Sequence, residues 1–309
     1  MRITKDINEA NAVTHGGTFH SDDVFATVVL DAYFQATGRG ELIVCRANDA
    51  ANAPKDAVVY DIGWGKFDHH QRGGNGTHAS GVPYAALGLL WKEYGMTLCK
   101  KSMNPSRMWW MVENELIQPI DSVDNGVMPR TEYVVQPCTL PGIISAFNPN
   151  WDDKIPVDDA FYDACQVAEL IFTKIMERAY SKVAAYDYVY DRLRESNKTP
   201  GIMVLHTYVP WIDPILKPSP DMARLAESLR FVVYPANRGG YQWRAIPDKE
   251  GSFGLRKAAP ESWWGLSDEA LVKVCGVRTA KFCHANGFIG GATDCYGAIE
   301  MARKAICAK

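Results

Sequence analysis

The sequence has little of what marks several common classes of protein. Its eight cysteines are scattered along 309 residues without a Cys-x-x-Cys pair, which disfavours a zinc ribbon and a disulfide framework. No apolar run approaches the length that crosses a bilayer, and the N-terminal residues lack the apolar core of a signal peptide. We therefore expect a cytoplasmic protein with reduced thiols and no membrane partner.

Motifs of several enzyme and nucleotide-binding families are also absent. The sequence contains neither a GxGxxG nor a Walker spacing, so a Rossmann or P-loop nucleotide site is not indicated. It lacks the His-Glu-x-x-His motif of zinc peptidases, which disfavours a peptide hydrolase. The formal net charge of −3 supplies no global positive field to attract long nucleic acids, although a short oligonucleotide held by metal ions stays compatible.

What the chain does contain indicates an α/β protein with two domains. Its 47% hydrophobic and 22% charged residues are typical of a globular protein, and its length exceeds that of one ordinary core. In the first half, short apolar strands over 12–14, 42–45 and 57–62 alternate with helical patterns, which predicts βαβ units and a parallel sheet. Two further helices are expected over 83–94 and 105–123.

The second half has a different pattern. A long amphipathic helix is expected over 157–195, where it would join the two domains. Strands over 201–205, 229–234 and 242–246 follow, and a final helix is expected over 296–307. The fold class is therefore α/β, with a parallel-sheet N-terminal domain joined by a long helix to a smaller α+β C-terminal domain.

Metal-ligating side chains gather in two short clusters, each placed just after a predicted strand. Only seven histidines occur in the chain, and two of them are adjacent. The clusters are His15, His20, Asp22 and Asp23 near the N-terminus, and Asp68, His69 and His70 further along the chain. Neutral imidazoles and carboxylates together bind divalent transition metals well. Ligands of open α/β sheets bind beyond the carboxyl ends of strands, so the placement agrees with the chemistry.

Two further carboxylates complete a two-metal set. Asp61 stands alone at the end of a buried strand, where it could bridge two ions about 3.5–4 Å apart, and Asp124 lies at a helix end before an Asn-Gly stop. Mixed histidine and carboxylate ligation favours manganese, cobalt or iron, with magnesium or zinc as alternatives. Two such ions would acidify a water molecule and hold two substrate oxygens during an in-line displacement at phosphorus. The set therefore indicates a two-metal hydrolase.

Each of these residues also has a structural explanation when it is taken alone. Asp61 and Asp124 can be turn residues, and Asp22 can cap the helix that follows it. His15 can be a hydrogen-bonded loop histidine. His78, in the loop after the second cluster, could face substrate or could be structural. The metal site is favoured because four separate segments carry suitable ligands together.

In these segments the chain resembles the DHH phosphoesterase superfamily and, within it, the melanocyte-proliferating-gene family, formerly described as uncharacterised or as metal-dependent protein hydrolases. The shared order is a strand, a His-rich motif, a strand-end Asp, an Asp-His-His motif and a helix-end Asp, and the resemblance covers almost the whole chain. The matching segments are 14–20, 68–72, 121–126, 260–263 and 284–291. The resemblance implies a DHH-type metal-binding phosphoesterase domain over 1–152, followed over 153–309 by a linker helix and a substrate-binding α+β domain.

The resemblance also implies roles for individual residues. One metal ion would be bound by His15, His20 and Asp61, and the other by Asp22, Asp61, His69 and Asp124. The remaining catalytic residues would be Asp23, Asp68 and His70. Among these, Asp68 would orient its neighbours and His70 would lie close to the scissile phosphate. Substrate would be bound by Arg72, His284, Gly290 and Gly291.

Membership of that family implies a two-metal phosphodiesterase with 3′–5′ exonuclease activity on RNA ends or short oligonucleotides. Mn²⁺ is the expected ion, with Mg²⁺, Co²⁺, Fe²⁺ or Zn²⁺ as alternatives. Two other functions stay open: a phosphatase or pyrophosphatase acting on a small phosphorylated metabolite, and a non-catalytic nucleotide-binding protein. The formation of a homodimer also stays an open alternative.

Two positions depart from the family pattern. Asp23 stands where a glutamate is expected, so its carboxylate reaches one methylene less far. The segment 292–295 lacks the basic residues expected after the paired glycines. The missing positive charge would weaken the grip on a polyanionic chain, which leaves the length of the substrate open.

Overall fold

The computed structural model describes residues 1–127 and 137–308 and shows two compact units, Met1–Val183 and Ala184–Lys309. The division falls within a long helix, Val157–Glu195, which the sequence predicts over the same residues. The boundary expected at residue 152 separates a metal-binding part from a part with the linker helix and the substrate-binding domain, and this assignment of roles stays a prediction. Among the described residues, no helix is both long and apolar enough to cross a membrane.

A parallel sheet organises the first unit. Its strands are β1 (Arg2–Thr4), β2 (Ala12–His15), β3 (Ile43–Ala47) and β4 (Val58–Val59). They pair in the order β1-β3-β2-β4 and every pair is parallel, which confirms the predicted parallel sheet. Because β2 and β4 are parallel neighbours, their carboxyl ends meet at one edge of the sheet. His15 ends β2 and Asp61 follows β4 closely, so both lie at this edge.

Helices cover the sheet of the first unit. They are α1 (Ser21–Thr37), α2 (Ala86–Cys99), α3 (Pro105–Val112), α4 (Gln118–Asp124), α5 (Leu140–Ser145) and the first part of α6 (Val157–Glu195). A π-helical turn, Glu113–Ile117, joins α3 to α4, so the helix predicted over 105–123 is one continuous segment. Such turns often lie near functional sites. Here the segment ends at Asp124, one of the predicted metal ligands.

Helix α1 carries two carboxylates into the interior of the first unit. His20, rather than Asp22, occupies the cap position, and its backbone N–H donates to Asp23 Oδ1 at 2.9 Å. The helix is buried on most sides, so Asp22 and Asp23 in its first turn have no exposed surface. Burial of two carboxylates is costly unless a partner compensates their charge.

A large apolar core fixes the position of these elements. Phe25 on α1, Trp91 on α2 and Phe161 on α6 are all fully buried, and each contributes about 1.5–3 kcal/mol by burial. Arg46 ties the first histidine loop to this core. Its guanidinium donates to the Gly17 carbonyl at 2.7 Å and lies 4.4 Å from the centroid of the Phe161 ring. Arg46 therefore connects the His-rich loop to the aromatic core.

The second unit contains a mixed sheet. Its strands are β5 (Ile202–Val204), β6 (Phe231–Pro235), β7 (Tyr241–Ala245), β8 (Ala280–Cys283) and β9 (Ile289–Ala292). They follow the order β5-β6-β7-β9-β8, in which the pair of β5 and β6 is parallel and the other pairs are antiparallel. The helices are α7 (Ile212–Leu216), α8 (Ala223–Ser228), α9 (Asp268–Cys275) and α10 (Cys295–Cys307). The predicted mixture of strands and helices is confirmed, whereas β8, β9, α7, α8 and α9 are absent from the sequence prediction.

Candidate metal centre

The edge formed by β2 and β4 brings Asp61 between two histidines. Its Oδ2 lies 3.3 Å from His15 Nε2, and its Oδ1 lies 3.2 Å from His69 Nε2. The carboxylate is 3% exposed and is held in a left-handed backbone conformation with φ of 55°. Each oxygen thus faces a different imidazole, which is the geometry that a bridging carboxylate requires.

The first group of ligand atoms surrounds His15. Its Nε2 lies 3.1 Å from Asp23 Oδ2 in addition to Asp61, and one atom of each residue lies within 4.8 Å of the others. Its Nδ1 lies 2.9 Å from the Gly16 carbonyl oxygen and donates to it. Because the neutral ring would keep its proton on that nitrogen, Nε2 would offer its lone pair to a metal once it is deprotonated.

The second group surrounds His69. Its Nε2 lies 3.3 Å from Asp124 Oδ2 and 3.9 Å from Asp22 Oδ2. His20 offers a ligand atom within 4.8 Å of atoms of the same two carboxylates. All six residues predicted as metal ligands therefore lie in one region of the first unit. The structure groups His20 with Asp22 and Asp124, and it places Asp23 beside His15, where the resemblance expects His20.

The donor set fits a divalent cation. Both carboxylate oxygens of Asp22 are buried, and neither accepts a hydrogen bond from any described residue. Asp61 Oδ1 and Asp23 Oδ2 are likewise buried without a hydrogen-bond donor of good geometry in the described part of the chain. Burial of a carboxylate without a partner reduces the free energy of unfolding by several kcal/mol, which is at least the effect of losing one hydrogen bond to a charged group. Metal ions would remove this cost, and imidazole with carboxylate suits manganese, iron, cobalt or zinc.

The carboxylates and histidines of the centre shift one another's pKa. Burial raises the pKa of Asp22 well above its ordinary value, and the charges of Asp61 and Asp124 raise it further. Burial alone would lower the pKa of His15, but its close contacts with the carboxylates of Asp23 and Asp61 outweigh burial and raise that pKa to about 10. Burial would raise the pKa of Asp61, yet its two histidine partners lower it. Without cations, the centre therefore retains protons that metal ions would displace.

Asp68 makes hydrogen bonds to Trp64 and His70, and the role in orienting its neighbours that the resemblance implies stays a proposal. Its Oδ1 lies 2.8 Å from His70 Nδ1, and its Oδ2 accepts a hydrogen bond from the Trp64 backbone N–H at 2.7 Å. Asp68 is buried, whereas the His70 side chain is 54% exposed. The buried carboxylate therefore fixes one ring nitrogen of His70 and leaves the other for a ligand in the cleft.

His78 belongs to a buried ionic network that the sequence does not reveal. Its Nδ1 lies 2.5 Å from Glu113 Oε1, and its Nε2 lies 2.8 Å from Asp121 Oδ2. Asp121 also accepts the backbone N–H groups of Ala85 and Gly88, at 2.9 and 3.2 Å. The imidazole is 2% exposed, so it has no access to substrate and its role is structural. The network ties the loop after the Asp-His-His motif to α4, one turn before the end of that helix.

The residues predicted to bind substrate are divided between the two units. Arg72 is exposed in the first unit, shortly after His70. In the second unit, the Asn286 backbone N–H donates to His284 Nδ1 at 3.1 Å. The paired glycines are required by packing, since a Cβ on Gly290 would lie 2.4 Å from the Trp243 ring. A role of these residues in substrate binding stays a prediction.

A cavity of about 570 Å³ lies beside Gly291 in the second unit. Tyr234, Arg244 and Lys281 line it, which gives the cavity both aromatic and cationic side chains. The non-basic segment that follows the paired glycines has a structural role, because Asp294 caps α10 by accepting the Gly297 N–H at 2.8 Å. Positive charge is therefore present on neighbouring strands rather than in that segment.

Comparison with known proteins assigns the family. The family model MYG1_exonuc, described as an uncharacterised protein family (UPF0160), matches residues 11–306. The chain belongs to the MYG1 family. The match includes every candidate ligand described above, from His15 to Asp124, together with most of the second unit.

Relatives of the MYG1 family are similar to this chain from end to end. A "MYG1 protein" of Dictyostelium discoideum is 26% identical, and the match covers 97% of each chain. Proteins named "MYG1 exonuclease" from Rattus norvegicus and Homo sapiens are each 27% identical over 94% of this chain and over 83% and 84% of their own lengths. No solved structure matches the chain.

Proposed function

We propose that this protein is a two-metal-dependent phosphodiesterase of the DHH type, acting as a 3′–5′ exonuclease on RNA ends or short oligonucleotides. The observation that carries the proposal is Asp61, whose two oxygens face His15 and His69 close to Asp22, a buried carboxylate that accepts no hydrogen bond from any described residue. Family relatives named exonucleases support the same chemistry. A phosphodiester is among the substrates that pairs of divalent ions hydrolyse, since the ions stabilise both the attacking and the leaving oxygen.

The proposed ligand sets follow the geometry of the centre. One ion would be held by His15, Asp23 and Asp61, and the other by Asp22, Asp61, His69 and Asp124, with His20 at the edge of the second set. Manganese is the proposed ion, because the set mixes imidazoles with several carboxylates. When bound, two such ions would stabilise negative charge on phosphoryl oxygens and lower the pKa of a water molecule.

The chain's own side chains would position the substrate. His70 lies at the open side of the centre, with Nδ1 fixed by Asp68 and its other nitrogen directed to a ligand. There, with protons on both ring nitrogens, it would donate a hydrogen bond from Nε2 to a phosphate oxygen and stabilise charge that develops during the displacement. Asp68 holds the ring in this orientation before substrate arrives, so no reorganisation is needed at the moment of reaction.

An exonuclease assay with short RNA tests the proposal. The manganese-loaded protein is expected to release mononucleotides stepwise from the 3′ end of a 5′-labelled oligonucleotide. Asp61→Asn and His69→Ala are expected to reduce this rate by about 10²-fold or more, the scale of losing one major electrostatic contact. The matched control is His206→Ala, since His206 is an exposed histidine of the second unit.

Other outcomes of the same assay would contradict the proposal. Release of phosphate from pyrophosphate without release of mononucleotides would identify a pyrophosphatase instead. Tight nucleotide binding without any metal-stimulated hydrolysis would identify a non-catalytic binding protein. Wild-type turnover in Asp61→Asn would show that the chemistry takes place elsewhere.

A further inference from the structure

The turn between Asp61 and Asp68 presents an exposed tryptophan at the candidate centre. The Trp64 side chain is 70% exposed and lines an open cavity of about 630 Å³ together with Asp61, Asp68 and His70. Cavities of this size hold a ligand as large as a nucleotide. Exposure alone decides nothing, because Trp151 is 96% exposed in a loop without such neighbours.

The backbone at Trp64 is strained. Its φ is 60°, a left-handed conformation that bulky side chains rarely adopt, and Asp61 in the same turn has φ of 55°. Within the described residues, Asp268 is the one other non-glycine residue with positive φ. Gly63 and Gly65 flank Trp64, so the strained residue between two glycines is itself a tryptophan. Strain of this kind persists where the surroundings enforce it, as they do at ligand clamps.

One carboxylate enforces this arrangement. Asp68 Oδ2 accepts the Trp64 backbone N–H at 2.7 Å, while Asp68 Oδ1 holds His70. The turn is closed further by the Asp61 N–H, which donates to the Phe67 carbonyl at 3.0 Å. The same buried side chain therefore holds the imidazole of His70 and the backbone of Trp64 on the border of one cavity.

The chemistry of the cavity indicates which ligand would use the indole. Asp49, Asp61 and Asp68 line it, and none of the lining residues in the described part of the chain is a lysine or arginine. An anionic group is therefore disfavoured everywhere except beside bound cations. An uncharged, flat group would pack favourably on the indole. The side-chain amide of Asn48 is available for hydrogen bonds to the edge of such a group. A nucleotide combines both parts in one molecule.

We infer that Trp64 is a base-stacking residue, so that this site takes a nucleotide whose phosphate lies at the metal centre and whose base lies against the indole. The inference rests on the proposed function for the position of the phosphate. Stacking of one base on an aromatic side chain strengthens binding by about 5- to 150-fold and tolerates all bases. The site would therefore select nucleotides over other phosphate esters without selecting a base sequence.

Equilibrium binding to the full-length manganese-loaded protein tests the inference without any turnover of RNA. The probes are adenosine 5′-phosphate, ribose 5-phosphate and inorganic phosphate. Adenosine 5′-phosphate is expected to bind at least about 5-fold more tightly than ribose 5-phosphate, the lower end of the effect of one stacked base. In Trp64→Gly this advantage should disappear, while the affinities for the other two probes stay unchanged.

Three further variants make the test specific. Trp64→Phe keeps an aromatic face and should retain most of the advantage of adenosine 5′-phosphate. Trp151→Ala removes a different exposed indole and should bind all three probes as the wild type does. Asp61→Asn should weaken all three probes together, since it changes the metal centre and leaves the indole in place.

The outcomes separate this inference from the proposed function. An equal loss of all three probes in Trp64→Gly, an unchanged advantage of adenosine 5′-phosphate in that variant, or no binding of adenosine 5′-phosphate to the wild type would overturn it. If metal-dependent RNA hydrolysis is found but no base-dependent difference, the stacking role fails alone. If the base-dependent difference is found without hydrolysis, the stacking role stands and the proposed exonuclease fails.

Discussion

At the scale of single residues, the centre contains more buried carboxylate oxygens than its histidines compensate. Asp22 is the extreme case, because both of its oxygens are buried without a hydrogen-bond donor among the described residues. Asp61 and Asp124 add like charge nearby, and together with burial they raise the pKa of Asp22 well above its usual value. Such a position destabilises the metal-free fold and is retained where a ligand requires it.

The variant Asp22→Asn tests this conflict. A carboxyl group whose pKa is raised in the folded state makes the folded protein less stable as the pH rises from the unfolded pKa, 3.8, through the folded value. The metal-free variant lacks this loss, so its stability relative to the wild type should increase with pH. Added Mn²⁺ should then stabilise the wild type much more than the variant. Thermal unfolding from pH 5 to 8, with EDTA and with Mn²⁺, measures both effects, and equal stabilisation of the two proteins by Mn²⁺ would contradict the assignment.

Metal binding should also release protons. His15 has its pKa raised to about 10, so it carries an extra proton near neutral pH in the metal-free protein, and burial raises the pKa of Asp22, which favours its protonated form. A metal ligand must be deprotonated, and the apparent affinity for Mn²⁺ should therefore rise with pH. Calorimetric titration at pH 7 in buffers of different ionisation enthalpy would count the released protons. A heat of binding that is independent of the buffer would contradict this account.

At the scale of secondary structure, a buried network holds the elements that carry the ligands. His78 lies between Glu113 on the π-helical turn and Asp121 on α4, and its loop follows the Asp-His-His motif. Burial alone would lower the pKa of His78, but its two carboxylate partners raise it to about 9. The network therefore joins the segments that carry His69 and Asp124, and it does so away from the direct contact between those two side chains.

Removal of the central imidazole should be costly. The variant His78→Ala leaves two buried carboxylates without their partner, and loss of one member of a buried ion pair typically costs about 3–5 kcal/mol. Denaturant unfolding should show a loss of this size, whereas His206→Ala, at an exposed position, should be close to neutral. A loss below about 1 kcal/mol in His78→Ala would show that the network is not important for the fold.

The same network predicts a dependence of stability on pH. His78 has a higher pKa in the folded protein, about 9, than the ordinary value of 6.5. Its contribution to stability is therefore fully present below pH 6.5 and is lost as the pH rises through about 9. The difference in unfolding free energy between wild type and His78→Ala should shrink over this interval. A constant difference from pH 6 to 9.5 would contradict a charged imidazole.

Local patterns predicted the elements better than the partners of the side chains. The helix over 157–195 has a long amphipathic period, and the strand ending near Asp61 is an apolar run, so neither needed tertiary information. The pairing of His78 with Glu113 joins residues 35 positions apart and arises only when the helices pack. The position of Asp23 beside His15 likewise depends on how α1 begins after β2. The sequence thus shows which side chains are candidate metal ligands, whereas packing decides which of them lie next to one another.

At the scale of the whole molecule, the two units offer different chemistry. The first holds an acidic centre, and the second has a cavity with Tyr234, Arg244 and Lys281. The guanidinium of Arg244 lies 5.9 Å from the Trp211 ring and 5.8 Å from the Phe288 ring, which keeps its charge in an aromatic setting. Arginine in such a setting suits phosphate and bases of a single strand. Because the net charge is −3, local positive charge of this kind would help to attract the RNA proposed as substrate.

Arg244→Ala should therefore weaken binding of a short single-stranded RNA while leaving Mn²⁺ affinity unchanged. The expected change is a several-fold increase in KM at low salt, with a smaller dependence of KM on salt because about one phosphate contact is lost. The exposed residue Lys66 of the first unit gives a matched loss of one charge in Lys66→Ala, which should keep the wild-type salt dependence. Identical salt dependence in Arg244→Ala and the wild type would argue against RNA binding in this cavity.

Manganese titration of the full-length protein, followed by electron paramagnetic resonance, tests the central claim most directly. The account predicts two Mn²⁺ per chain and a spin-coupled signal, because Asp61 would bridge ions about 3.5–4 Å apart. In Asp61→Asn the coupled signal should be lost. A single isolated Mn²⁺ per chain, or a coupled signal that survives in Asp61→Asn, would contradict the bridged two-metal centre.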